Sequence, residues 1–229
     1  DEVIYKLNAI IQSVDQKGLV RANEEFTNWL QGEKSMPFGE NNAHVPIRLI
    51  DFENISNNSF VVTNQFKFYH RETKIPDVVL LINGIPVVVG EAKTPIRPSV
   101  SWLDGAHEIH DIYENEARQL FVPNIFSFAT EGKEFYYGSV RCPLQIWAPW
   151  RLQSGDEELV DALGLKEVGK ELNEILNPKI LLEILQNFCL FSSDKKNRRI
   201  KIVSRYQQFD GANKIVDRVI DGSIKQGLI

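Results

Sequence analysis

Cysteine is nearly absent from this 229-residue chain: Cys142 and Cys189 are the whole complement, and they lack metal-ligand spacing. That excludes a disulfide framework and a cysteine zinc site. No apolar run approaches the ~20 residues a membrane-spanning helix needs. The first residues, Asp1-Glu2-Val3-Ile4-Tyr5, do not have the make-up of a signal peptide. Internal repeats and low-complexity tracts are missing too. With 43% hydrophobic and 25% charged residues, the composition excludes intrinsic disorder and collagen-like chains. The expectation is a soluble, intracellular-type protein with no membrane partner.

What is present begins with an uneven charge distribution. Residues 192–229 carry nine Lys/Arg against four Asp/Glu, while the preceding 191 hold 17 basic and 27 acidic groups. An acidic chain is not an obvious nucleic-acid binder, because phosphate neutralisation needs basic surface. Local patches can still serve that purpose, and acidic clusters can instead serve metal ions.

Hydrophobic spacing predicts an amphipathic helix over 19–30 and a turn over 36–42. Strands are expected at 46–52, 59–69, 77–82 and 86–92, with Asn57-Asn58 and Asn83-Gly84 as turns between them. A helix is expected over 104–120, then strands at 125–130 and 134–140. Helices follow at 156–163, 167–176 and 178–188, the last opened by Pro178, and a final helix at 206–225. Interleaved strands and helices make the first ~145 residues an α/β layer structure.

The densest chemical signal runs from Pro76 to Lys93. Two almost wholly apolar strands meet at Asn83-Gly84, a strong hairpin signal. Asp77 stands at one end of the first strand, and Glu91 and Lys93 at the matching end of the second. Charged groups at the end of a buried hairpin are costly unless they bind something. Glu91 and Lys93 are two apart and share a face. A plain two-residue turn would put Asp77 opposite Gly90. One extra residue in the loop, or a bulge at Gly90, puts it opposite Glu91, roughly 4.5–5.5 Å away between Cβ atoms. The sequence therefore predicts an irregularity between Asn83 and Gly90. Two carboxylates, with the Ala92 carbonyl, would suit Mg²⁺, a hard ion that keeps several waters. Lys93 could balance developing negative charge, and such an assembly hydrolyses phosphodiesters.

Pro76-Asp77 followed by Glu91-Ala92-Lys93 resembles the PD-(D/E)xK nuclease motif. Residues 62–66 (VTNQF), 76–95 and 121–132 (FVPNIFSFATEG) resemble, more narrowly, the N-terminal part of the R subunit of type I restriction-modification enzymes. The resemblance implies a restriction-endonuclease-like mixed β-sheet flanked by helices and followed by a helical connector. It implies a metal-dependent endonuclease acting on double-stranded DNA, with methylation and specificity subunits as partners, in a prokaryotic cytoplasm. By resemblance, Asp77 and Glu91 would hold Mg²⁺ and Lys93 would be the catalytic lysine. Related nucleases often carry a Gln and a Tyr four apart on the next helix. Here Tyr113 is available, position 109 is Ile, and Glu108 is the nearest polar candidate for a supporting role.

Residues 202–229 resemble the segment before the phosphate-binding loop of the family's ATP-driven motor. Arg205 and Gln208 would then contact adenine in the intact protein. No Gly-x-x-x-x-Gly-Lys-Ser/Thr loop occurs, so ATP would be used only by the full-length subunit. The expected organisation is a nuclease domain at 1–145, a helical connector at 146–200 and the truncated start of the motor at 201–229. The basic run Lys195, Lys196, Arg198, Arg199 and Lys201 is either a solvated linker or a DNA-backbone contact.

Other groups have plainer readings. His107 and His110 form an exposed polar helix face rather than a zinc site, Glu24 and Glu25 a solvated face, and Trp147 and Trp150 packing for the connector. Two rival functions remain at this point: a non-catalytic docking domain for the other subunits, and a free-standing repair or recombination nuclease.

Overall fold

The protein is described here as a computed structural model covering residues 1–70, 72–151 and 166–222. Three helices open the chain: α1 (Glu2–Gln12), α2 (Val14–Lys17) and α3 (Leu19–Leu30). Strands β1 (Ser35–Phe38), β2 (Ala43–Pro46), β3 (Phe60–Asn64), β4 (Phe68–Tyr69) and β5 (Thr73–Lys74) come next. The hairpin of β6 (Val78–Ile82) and β7 (Ile85–Ala92) leads to α4 (Trp102–His107). A π-helical turn (Glu108–Tyr113), α5 (Glu114–Glu116) and a 3-10 turn (Arg118–Phe121) continue it. Then come β8 (Phe126–Thr130), β9 (Phe135–Gly138), α6 (Lys166–Ile175) and α7 (Pro178–Asn187). Strands β10 (Cys189–Ser193) and β11 (Arg199–Val203) precede α8 (Tyr206–Asp221).

Five strands form the central sheet in the order β3-β6-β7-β8-β9. All neighbours are antiparallel except β7 and β8. This is the α/β, restriction-endonuclease-like mixed sheet flanked by helices that the sequence predicts. Strand β8 is buried at every position, Ser127 and Thr130 included, and β7 over Val87–Glu91, which is why β7 reads as a near-continuous apolar run. Helix α4 crosses β7 and β8 at close range. A Cβ on Gly105 would meet those of Ala129 and Glu91 at 3.3 Å. Helix α3 is fastened by one buried amide. Asn23 Nδ2 donates to the carbonyls of Phe121, Val122 and Asn124 at 3.2, 2.9 and 2.8 Å, pairing oxygens of the segment that enters β8. One hydrophobic core includes residues from Ile10 to Phe209 and so draws on all three expected stretches of the chain.

Several local expectations need correction. The turn expected over 36–42 is narrower, because Ser35–Phe38 pairs with Ala43–Pro46. The strand expected at 46–52 does not form beyond Pro46. The Asp51 carboxylate there accepts from the amides of Glu53 and Asn54 at 3.0 and 2.8 Å, which curls the chain into a polar turn. The strand over 59–69 breaks at Gln65, whose φ is +50°. The helix over 104–120 starts at Trp102 and changes helical type three times. The helix expected at 156–163 lies outside the described residues.

The connector is helical over α6 and α7 but not beyond. Residues 189–203 form a β-hairpin, and the basic run sits on its tip and second strand. Arg198 pairs with Asp194 at 2.7 Å, and Arg199 makes a two-pronged ion pair with Glu24 of α3. Lys201 is buried and donates to the Asn124 carbonyl at 2.6 Å. Three of the five basic residues are thus tied into the fold, while Lys195 and Lys196 at the hairpin tip are exposed.

A Cβ on Gly90 would fall inside the Phe128 ring. Gly90→Ala is therefore expected to lower stability by about 1–3 kcal/mol in urea denaturation. Burial pushes the Lys201 ammonium down to about 8, against smaller opposing effects of Cys189 and Glu114. The unfolded chain then holds the extra proton from about pH 8 to about pH 10.5, so stability should rise with pH across that window. Lys201→Met should flatten the rise in urea titrations at its two ends.

Candidate active site

The β6–β7 hairpin turns at Asn83 and Gly84, with φ of +52° and +80°, the left-handed pair that a tight hairpin requires. Asn83 is pinned on both sides: its Nδ2 donates to the Leu49 carbonyl at 2.9 Å, and its Oδ1 accepts the Ser59 amide at 2.8 Å. Ile82 pairs with Ile85 and Leu81 with Pro86. Leu80 then pairs with Val88, leaving Val87 as an extra residue. Because of that bulge Val78 stands opposite Gly90, and Asp77, one residue earlier, comes level with Glu91.

The irregularity lies within the expected region but at a different residue. Pro86 marks it: proline has no N–H for the ladder and is found at bulges. Gly90 leaves room for Phe128 instead.

Each charged group has defined partners. The Asp77 carboxylate is held from two strands, Oδ1 by Gln65 Nε2 at 2.6 Å and Oδ2 by the Ala92 amide at 3.0 Å. The Asp77 amide approaches Glu91 Oε2 at 3.4 Å. Glu91 is only 3% exposed. Lys93 continues the β7 ladder, its amide donating to the Thr130 carbonyl at 2.8 Å. Its ammonium donates to Glu91 Oε1 at 3.1 Å and to Glu108 Oε2. The Tyr113 hydroxyl donates to Glu108 Oε1 at 2.8 Å.

Glu108 and Tyr113 are five apart, a spacing that a regular α-helix would stagger. The intervening turn is π-helical, and its wider winding brings i and i+5 onto one face. The extra residue explains how Glu108, rather than position 109, lies beside Tyr113.

Burial raises the Glu91 carboxyl to about 7, with Lys93 opposing the shift and Asp77 and Glu108 adding to it. Burial also works against the Lys93 ammonium, but hydrogen bonds to Glu108 and Glu91 outweigh it and leave its pKa above the ordinary value. Burial of Glu108 is likewise outweighed by Lys93 and Tyr113, so its pKa is lowered.

Three carboxylates facing one ammonium leave a site deficient in positive charge, and a divalent cation is what such a donor set accommodates. Among the described residues no group of three or more His, Cys, Asp or Glu side chains could hold a metal. The ion would have to rely on Asp77, Glu91, backbone oxygen and solvent. Mg²⁺ accepts that arrangement, whereas a structural zinc site does not.

Other candidates lie elsewhere. Glu24 is bound to Arg199 and Glu25 to Lys17. His107 and His110 both turn Nδ1 to the Asp111 carboxylate at 2.7 Å, a polar surface cluster. Trp147 and Trp150 are buried packing residues. Burial raises both cysteine thiols, which does not favour nucleophilic chemistry. Arg205 and Gln208 open α8, where the Arg205 amide donates to Gln208 Oε1 at 2.9 Å. Gln65 is a side-chain contact to the cluster that spacing did not single out. An exposed glutamine at a strand end carries no local signal of its partner.

A family model described as the N terminus of the type I restriction enzyme R protein matches residues 2–145. The type I restriction enzyme HindI endonuclease subunit of Haemophilus influenzae is 30% identical over 213 residues, covering 91% of this chain and 20% of its own length. Two Methanocaldococcus jannaschii proteins with provisional names as type I restriction enzyme endonuclease subunits are also similar. MjaIXP is 27% identical over 96% of this chain and 22% of its own length. MjaVIIIP is 29% identical over 76% of this chain and 16% of its own length. The chain thus spans about a fifth of the curated relatives it matches.

The contact made by the π turn can be measured. A double-mutant cycle of Tyr113→Phe and Glu108→Ala, read by urea denaturation, should give a coupling of about 1 kcal/mol. A coupling near zero would mean that the turn does not join these side chains in solution.

Proposed function

The chain belongs to the family of type I restriction enzyme R protein N termini, and from that premise we propose that residues 1–145 are a Mg²⁺-dependent DNA endonuclease domain. One observation carries the proposal: a bulge brings Asp77 level with Glu91, while Lys93 donates to the same Glu91.

Asp77, Glu91 and the Ala92 carbonyl would hold Mg²⁺, which when bound supplies Lewis-acid stabilisation of charge building on a phosphodiester. Lys93 stays protonated and offers Nζ to a phosphate oxygen. Glu108 aims that ammonium, and Tyr113 steadies Glu108. Burial of Glu91 makes its ionised form depend on neighbouring positive charge, which couples the carboxylate to cation binding.

The substrate is double-stranded DNA. Sequence recognition would belong to a specificity subunit, acting with a methylation subunit, and DNA would be delivered by an ATP-driven motor following residues 201–229. Residues 146–200 would connect the two, and Arg205 and Gln208 would meet adenine in the intact subunit. The assembly would work in the prokaryotic cytoplasm. Among the described residues no helix is long and apolar enough to cross a membrane.

Asp77→Ala in the full-length subunit is expected to abolish linearisation of supercoiled plasmid and to leave DNA-stimulated phosphate release intact. Retained cleavage would overturn the assignment. Loss of both activities from a variant with an unchanged melting temperature would overturn it as well.

A further inference from the structure

Gln65 stands where β3 leaves the sheet, and its backbone is left-handed at φ +50°. Besides glycine, only Asn42, Gln65, Asn83, Arg141 and Asn197 have positive φ among the described residues. Three of these five are asparagine, which tolerates the conformation. Arg141 and Gln65 are less tolerant types, and both use the side chain in a particular contact. Arg141 Nη2 donates to the Glu114 carbonyl and to Asn115 Oδ1 at 2.6 and 2.7 Å. Gln65 Nε2 donates to Asp77 Oδ1 at 2.6 Å, while the Gln65 amide donates to the Asp77 carbonyl at 2.9 Å.

The left-handed turn makes this double contact possible. It swings the chain out of the β3 ladder while keeping Gln65 beside Asp77. The next amide, that of Phe66, donates to the Pro76 carbonyl at 3.0 Å. Gln65 is itself exposed, so the amide is not filling core space.

We propose that Gln65 is a positioning residue for the cation-binding carboxylate of Asp77. Its side-chain amide, just past the end of β3, and the Ala92 N–H of β7 hold opposite carboxylate oxygens, fixing the plane of the carboxylate. Each oxygen keeps a lone pair for a cation. A neutral amide is the suitable partner, since it orients the carboxylate without cancelling its charge. This rests on the proposed cation site, and it adds a residue acting on the cation only through Asp77. Hydrogen-bonded partners of this kind typically change metal affinity 10–100-fold when removed.

Gln65→Gly separates the side chain's role from the backbone's, because glycine adopts the left-handed turn without strain. Mn²⁺ binding to the 229-residue chain, followed by loss of the free-ion paramagnetic resonance signal, should weaken about tenfold or more. The metal-free melting temperature should hold or rise. Gln65→Asn, which suits the turn but has a shorter arm, should behave the same way. Affinity within twofold of wild type in Gln65→Gly would overturn the positioning role, and so would weakened binding accompanied by a lowered metal-free melting temperature. Asp77→Asn serves as the reference. If it binds Mn²⁺ as wild type does, or if wild type binds none, the cation site itself has failed, and the positioning role with it.

Discussion

One extra residue in β7 decides what the rest of this domain can be. Side chains alternate across a strand, so a shift of one residue moves every later side chain relative to its partner. Without Val87 out of register, Asp77 would face Gly90, and Glu91 would be a lone buried carboxylate. With it, the two acids come level at the same end of the sheet. The pinning of Asn83 on both sides holds the turn in place. A slip that removed the bulge would have to break those contacts. Gly90 and Gly105 then let Phe128 and α4 close over the strand that carries Glu91.

Closing that face creates an electrostatic problem that the side chains only partly solve. Glu91 is almost wholly buried, with Lys93 as its cationic partner, and Lys93 is shared with Glu108. The π turn matters because it delivers that second acid. It sets Glu108 beside Tyr113, so one carboxylate oxygen takes the hydroxyl and the other takes the ammonium. Lys93 is thereby held between two acids. The remaining excess of negative charge lies toward Asp77, the carboxylate that Gln65 and Ala92 orient.

How much of this was legible in the sequence depends on the range of the interaction. The apolar hairpin was visible because both strands are buried on two faces and flank Asn-Gly. Parity alone required an irregularity, since Asp77 and Glu91 could not otherwise meet. The region was right but not the residue: Gly90 has the backbone freedom for a bulge, whereas Pro86, unable to donate to the ladder, marks the actual one. The π turn was not legible, because periodicity of 3.6 cannot register one added residue. The β1–β2 and β10–β11 hairpins were missed for a different reason. All eight β1 and β2 positions are exposed or half-buried, and only Cys189 and Lys201 of β10 and β11 are buried. β11 does alternate, Arg199-Ile200-Lys201-Ile202, but its burial runs against that pattern, with Lys201 inside and both isoleucines exposed. Arg199 and Lys201 carry no local sign of their partners, Glu24 and Asn124, which lie 175 and 77 residues away in the chain.

The basic tract bears on how DNA would be engaged under the proposed function. Phosphate contacts supply most of the affinity of proteins for duplex DNA. Yet Arg199 is bound to Glu24, Arg198 to Asp194, and Lys201 is buried. Arg199 and Lys201 hold the hairpin to α3 and to the entry of β8, and Arg198 braces the hairpin itself, which leaves Lys195 and Lys196 exposed at its tip. The first 191 residues are strongly acidic, and the cation cluster itself has more carboxylates than ammonium groups. Under the proposed function, a duplex approaching Asp77 would meet net negative charge until a cation is bound. For a domain that spans about a fifth of its relatives' length, this favours a division of labour. In the proposed endonuclease reading, two carboxylates and a lysine would do the cutting, and the affinity that keeps DNA there would come from the cation and from the rest of the assembly.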